Sequence, residues 1–172
     1  MTTASTPSTQ DAKASAADPL QLIDVDHVRF YVGNAKQAAT FYAHTFGFRV
    51  DQYRDLTTGS REEASYLLTQ GNIRLLLTSG LSGDHPSAHE VARYGDGVKD
   101  IALTVFDATA AYEQALRNGG ESAYEPIELK DDRGSVTMAG IRAYGRVVHS
   151  FVSRTGDYAL PTVKQGGVFC SG

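Results

Sequence analysis

From Leu22 the chain alternates. Val28, Phe30 and Val32 fall on one side of an extended segment, and His27, Arg29 and Tyr31 fall on the other. That period of two is the signature of a half-buried strand. Gly33-Asn34 breaks it and supplies a good N-cap. Ala38, Phe41, Tyr42 and Thr45 then recur at helical spacing, which predicts a helix from about Ala35 to Thr45, with these residues on one face and Gly47 as its stop. Strands are expected over Phe48–Asp55, Ala64–Thr69 and Ile73–Ser79, with turns at Gly59 and Gln70-Gly71. The loop LSGDHPSAHE leads into a short helix that ends near Gly95-Asp96-Gly97.

The pattern then restarts. Val98–Phe106 reads as a strand with Ile101, Leu103 and Val105 on one face, and Asp107 as an N-cap for a helix over Ala108–Asn118. Ala111, Ala115 and Leu116 are its expected inward residues, and Gly119-Gly120 its stop. Strands over Ala123–Lys130, Ser135–Tyr144 and Arg146–Ser153 complete the second unit. An offset of 73 residues places His27 on Asp100, Phe30 on Leu103, Asn34 on Asp107 and Gly47 on Gly120. Strand phase, helix caps and helix stops register together, so the chain reads as an α+β protein of two βαβββ repeats. Two such units would curl into a half-open barrel, a cup with the helices outside and His27 and Asp100 looking in.

Composition narrows the picture. The chain has 172 residues, 41% of them apolar, enough for one domain with a core of its own. A net charge of −4 gives no reason to expect nucleic acid or an anionic membrane as partner, and no apolar run approaches the length of a spanning helix. The lone cysteine, Cys170, allows no intrachain disulfide. Residues 1–20 open with MTTASTPSTQDAKASAAD, without the charged start and apolar centre of a secretory signal. They are expected to be a disordered tail, residues 21–161 the folded domain, and residues 162–172 a flexible tail. A cytoplasmic location fits.

Several longer words carry a resemblance: FYVGNAKQAATFY (30–42), GFRV (47–50), EASYLLTQGNIRLLLTS (63–79), YGDGVKDIALTV (94–105), EPIELKDDRGSV (125–136) and IRAYGRVVHSFVSRTG (141–156). Together they resemble the amino-terminal half of the 4-hydroxyphenylpyruvate dioxygenase family, within the vicinal oxygen chelate superfamily. The hydroxymandelate synthases are similar but less close over VGNAKQAA. The resemblance covers roughly residues 22–161. It implies a full chain about twice this length with two such barrels. Iron(II) would sit in the second, on two histidines and a glutamate, and the first would be mainly structural. The family converts 4-hydroxyphenylpyruvate and oxygen into homogentisate, in tyrosine catabolism. TGDYALP still resembles the family and TVKQGGVFCSG does not, the look of a truncation or a frame change.

The resemblance also implies where a metal would sit if this barrel held one: His27, Asp100 and Ser150. A facial triad needs two histidines and one carboxylate on one side of iron. His27 is of the right type; Asp100 stands where a histidine is expected, and Ser150 where the glutamate is expected. The alternative reading of His27 is a cup-facing polar residue bonded to a neighbour, and the missing partners weigh toward it. Alternation turns His149 away from the Ser150 side. His85 and His89, four apart, would share a helix face, but Pro86 follows His85 where a zinc-protease motif needs Glu. His44 reads as a helix surface residue. YGDGVKD reads as a turn into a strand, since no helix follows to hold an anion. Tyr94 and Arg146 depart from the family pattern and read as surface changes. No nucleophile motif is present, so no catalytic or cofactor-binding residue is assigned.

The expectation is therefore a chain similar to the non-catalytic half of a dioxygenase, with no iron of its own and no turnover alone. Two alternatives stand beside it. One is a module that binds a small aromatic acid, pairs with a copy of itself, or pairs with a catalytic partner domain. The other is a small metalloenzyme, hydroxymandelate synthase-like or glyoxalase-like, whose site is completed by Asp100 or by Glu62, Glu63 or Glu128.

Overall fold

The computed structural model describes residues 19–131, 134–156 and 170–171. Most of the two expected tails lies outside these. The first repeat is β1 (Leu22–Tyr31), α1 (Ala35–Phe46), β2 (Arg49–Arg54), β3 (Glu63–Gln70) and β4 (Ile73–Gly80). Helix α2 (Pro86–Tyr94) leads to the second: β5 (Gly97–Val105), α3 (Ala108–Arg117), β6 (Ser122–Asp131), β7 (Gly134–Arg142) and β8 (Val148–Gly156). A two-residue strand, β9 (Cys170–Ser171), pairs with β2.

One mixed sheet runs β6-β7-β8-β5-β1-β4-β3-β2-β9. β1 and β5, the first strands of the two repeats, meet antiparallel at its middle, and each runs parallel to the last strand of its own repeat, β4 or β8. The expected repeat is therefore present as a two-fold arrangement, and the sheet is an open cup rather than a closed barrel. The caps that the repeat aligned are both formed. Asn34 accepts a hydrogen bond from Gln37 N at 3.0 Å, and Asp107 accepts from Thr109 N at 2.9 Å and Ala110 N at 3.0 Å.

Helix α1 sits rotated from its expected orientation, whereas α3 keeps Ala111 and Ala115 inward as expected and departs only at Leu116. In α1 the buried residues are Ala35 and Ala39, with Ala38 and Tyr42 partly buried, while Phe41 and Thr45 are exposed. In α3 they are Ala108, Ala111, Tyr112 and Ala115, and Leu116 turns outward. An alanine stripe lets each helix axis approach the sheet closely, and in α3 the Tyr112 ring packs beside that stripe. Their clusters hold Val32, Leu68 and Leu77 under α1, and Val105, Ala139 and Phe151 under α3. Val25, near the start of β1, is also exposed. The last two strands are shifted from expectation: β7 ends at Arg142, and β8 begins at Val148 after a turn closed by Val147 N to Tyr144 O.

Candidate functional site

The site begins with an irregularity in β1. Val25 pairs with Leu103 and His27 with Ala102, so Asp26 is an extra residue in the ladder. A bulge of this kind breaks alternation and re-aims a side chain. Asp26 and His27 are consequently both buried. His27 Nδ1 lies 2.6 Å from Asp26 Oδ1. A carboxylate accepts, so Nδ1 carries the proton. Arg154, on β8, grips both oxygens of Asp26, one of them from Nη2 at 3.0 Å. Burial by itself pushes the Asp26 carboxyl up; the hydrogen bonds from His27 and Arg154 more than reverse this and hold it well below the usual carboxylate range.

His27 lines a cavity of about 280 Å³ together with Arg29, Tyr31, Lys99, Asp100 and Tyr124, beside the apolar side chains of Leu76, Ile127, Met138 and Val148. His27, Arg29, Tyr31 and Asp100 therefore line one cavity. Ser150, fully buried, donates to Asp100 from both its backbone N, at 3.1 Å, and its hydroxyl. Tyr124 in turn donates to Ser150 Oγ at 2.6 Å. Burial pushes Asp100 above its usual value, and the hydrogen bonds from Ser150 and the nearby charges of His27 and Arg29 reverse only part of that. Burial also raises Tyr124, so its hydroxyl stays a neutral donor. Gly140, paired with Tyr124 across β6 and β7, makes room for the ring: a Cβ there would lie 2.3 Å from Tyr124 Cε1.

A second polar cluster adjoins the first through Arg29. Its Nε donates to Thr78 Oγ1 at 3.2 Å and its Nη2 lies 3.5 Å from Glu63 Oε2. Arg54 reaches the other oxygen of Glu63 at 3.5 Å, and His85 Nε2 is 3.6 Å from Glu63. Glu63 is thus held by cations and is not paired with His27. Glu62 lines the same cluster, and Glu128 pairs with Lys130 at the surface. His85 is the N-cap of α2 rather than a residue of its face, its Nδ1 accepting from Ser87 N at 3.2 Å, so it does not act with His89. His44 donates from Nδ1–H to Thr40 O of its own helix at 2.9 Å. His149 Nδ1 likewise donates to Ile101 O at 3.2 Å. Tyr94 and Arg146 lie at the surface as expected, but they touch each other, the guanidinium carbon 3.6 Å from the ring centroid.

Sequence reading missed Asp26, Lys99, Tyr124 and Arg154. Asp26 was hidden by the bulge, which strict alternation does not foresee. Arg154 lies 128 residues from Asp26 and carries no local signal. The one available hint for Tyr124 was an aromatic residue facing a strand glycine.

A family model described as Glyoxalase/Bleomycin resistance protein/Dioxygenase superfamily matches residues 24–153. The chain belongs to this superfamily. Among curated relatives, a 4-hydroxyphenylpyruvate dioxygenase of Dictyostelium discoideum is 46% identical over 132 residues, 76% of this chain and 36% of that protein. Another, of Tetrahymena thermophila, is 40% identical over 143 residues, covering 80% and 35%. The chain thus spans about a third of these relatives' length, in their amino-terminal portion. Among solved structures, a triple mutant of 4-hydroxymandelate synthase from Streptomyces coelicolor aligns with a TM-score of 0.70 at 24% identity, over 76% of this chain and 38% of the other. Methylmalonyl-CoA epimerase from Mycobacterium tuberculosis aligns with a TM-score of 0.61 at 18% identity, over 77% and 88%. At these identities the two structures establish the superfamily's fold alone. No helix among the described residues is long and apolar enough to cross a membrane.

Proposed function

We propose that this chain is the counterpart of the non-catalytic, amino-terminal barrel of 4-hydroxyphenylpyruvate dioxygenase, a cytoplasmic protein of tyrosine catabolism that does not itself convert 4-hydroxyphenylpyruvate into homogentisate. The observation that carries this reading is the bonding of Ser150. It stands where the resemblance puts a glutamate ligand, and its hydroxyl is spent on Asp100 and Tyr124. A serine hydroxyl is a poor ligand for iron(II), Asp100 already accepts two bonds from Ser150, and His27 has only Nε2 left. Among the described residues no three His, Cys, Asp or Glu side chains are grouped to hold a metal ion. The donor set does not fit the family's iron, and no step is routed through it. Anaerobic iron(II) titration followed by oxygen uptake with 4-hydroxyphenylpyruvate tests this. The expected result is no micromolar binding and no uptake above the protein-free control. Sustained uptake that His27→Ala removes would overturn it.

A second reading is favoured by the cavity itself. Arg29 and Lys99 bring positive charge to the lining, and Leu76, Met138 and Val148 bring apolar surface. That combination suits a small aromatic acid bound without metal. Tyr31 and Tyr124 line the cavity, so saturable change in tyrosine fluorescence with an aromatic 2-oxo acid is the expected sign of binding.

A further inference from the structure

We propose that the cup transfers a proton at the carbon beside the carbonyl of a small aryl 2-oxo acid, with His27 as base and Tyr124 as proton donor, and without a metal. This rests on the reading that the cup binds such an acid. The base is built into the fold. Asp26 is buried, clamped by Arg154, and engaged by Nδ1 of His27 at 2.6 Å. In the neutral imidazole that contact fixes the tautomer with Nδ1–H toward Asp26 and Nε2 as the acceptor. Nε2 makes no hydrogen bond among the described residues, and His27 lines the cavity. A buried carboxylate orienting an imidazole whose other nitrogen is free is the arrangement general-base chemistry requires.

The donor also comes from the wall of the cup. Tyr124 lines the cavity and is joined through Ser150 to Asp100 in a chain of three groups. Hydroxyl protons in such a chain can reverse direction, so a proton held on Asp100 can pass by Ser150 to Tyr124. The substrate's carboxylate has partners of its own. The Arg29 guanidinium has five N–H donors, of which Thr78 and Glu63 are seen to engage two groups. Lys99 has three, used by Glu90 at 2.8 Å and Arg146 O at 3.0 Å. Each therefore keeps a donor for an acid.

The step balances. The C3–H bond breaks and its proton goes to His27 Nε2. The electron pair left on carbon forms the C2=C3 double bond. The carbonyl π pair moves to oxygen, which takes the proton of Tyr124. Ser150 and Asp100 restore that proton, His27 releases its own to water, and Asp100 takes one back. The net change is keto to enol, with no oxidant or reductant.

The test is exchange of the C3 protons of phenylpyruvate for deuterium, followed by proton NMR in D₂O containing EDTA. Binding of phenylpyruvate is read in parallel from ligand line broadening. The wild-type chain is expected to speed exchange at least tenfold over matched buffer. His27→Gln and Tyr124→Phe are expected to keep binding and to lose at least nine-tenths of that acceleration. Asp26, a positioning residue, should behave likewise as Asp26→Asn. Binding with exchange at the buffer rate would overturn the proton-transfer inference and leave the acid-binding reading standing. No binding by wild type would overturn both. Equal exchange by folded His27→Gln would remove His27 as base; if that variant does not fold, His27→Asn takes its place.

Discussion

Asp26 places a charge in the core beside an imidazole, and its counter-charge comes from the far end of the domain. Hydrogen bonds from His27 and Arg154 overcome the desolvation that would raise its pKa, so the folded value lies below the ordinary 3.8. A depressed carboxylate adds stability that is present above the unfolded pKa and is lost as pH falls through the folded one. Asp26→Asn should therefore cost about 3 kcal/mol at pH 7, the scale for breaking a buried pair. The deficit should shrink below about pH 4, because only the wild type loses the contribution there. Urea unfolding of both proteins from pH 7 down to pH 3 checks this. Asp100 acts in the opposite sense. Its folded pKa is raised, so its burial favours the folded state at acid pH and that benefit fades as pH rises above 3.8 through the folded value. Asp100, which lines the cup, and Asp26, buried beside His27, thus have opposite preferences for a proton.

At the scale of elements, the site depends on two departures from regular sheet. The bulge at Asp26 turns a pair of adjacent residues inward together. Gly140 leaves β7 bare where the Tyr124 ring lies across from it. Gly140→Ala would set a methyl 2.3 Å from that ring, so the ring or the β6–β7 ladder must move. The expected cost is about 1–3 kcal/mol, the range for overpacking, read as a lower thermal midpoint. The same variant should weaken phenylpyruvate binding in NMR titration, since Tyr124 forms part of the cavity wall. Helix ends were legible in the sequence because Asn34 and Asp107 cap through purely local bonds. Helix orientation was legible only in part: Ala111 and Ala115 face inward as expected, but Phe41 and Leu116, which suit an inward face by hydropathy, turn outward while alanines lie against the sheet.

For the whole molecule, the β1–β5 ladder joins the repeats, and the Asp26–Arg154 pair crosses the same junction. Each half alone would expose a central strand edge and separate that pair. Residues 19–95 and 96–161, prepared separately, are expected to show no cooperative thermal transition. Mixing them should restore one, followed by circular dichroism. Cooperative melting of either half alone would show that the junction is dispensable. The cup exists only in the joined molecule, because His27 comes from the first repeat and Asp100 and Tyr124 from the second.

The sequence by itself determined the doubled βαβββ order, the caps, the inward phase of His27, Arg29 and Tyr31, and the superfamily, all of which rest on short-range pattern or on extended similarity. The tertiary structure alone decided which side chains meet. It brought Arg154 to Asp26, engaged Asp100 with Ser150 and Tyr124, assigned Glu63 to Arg29 and Arg54, and set Tyr94 under Arg146. The physical reason is that propensity and periodicity act over a few residues. Partner choice among buried charges depends on strand register and on bulges, which are settled only when the whole sheet closes around its core.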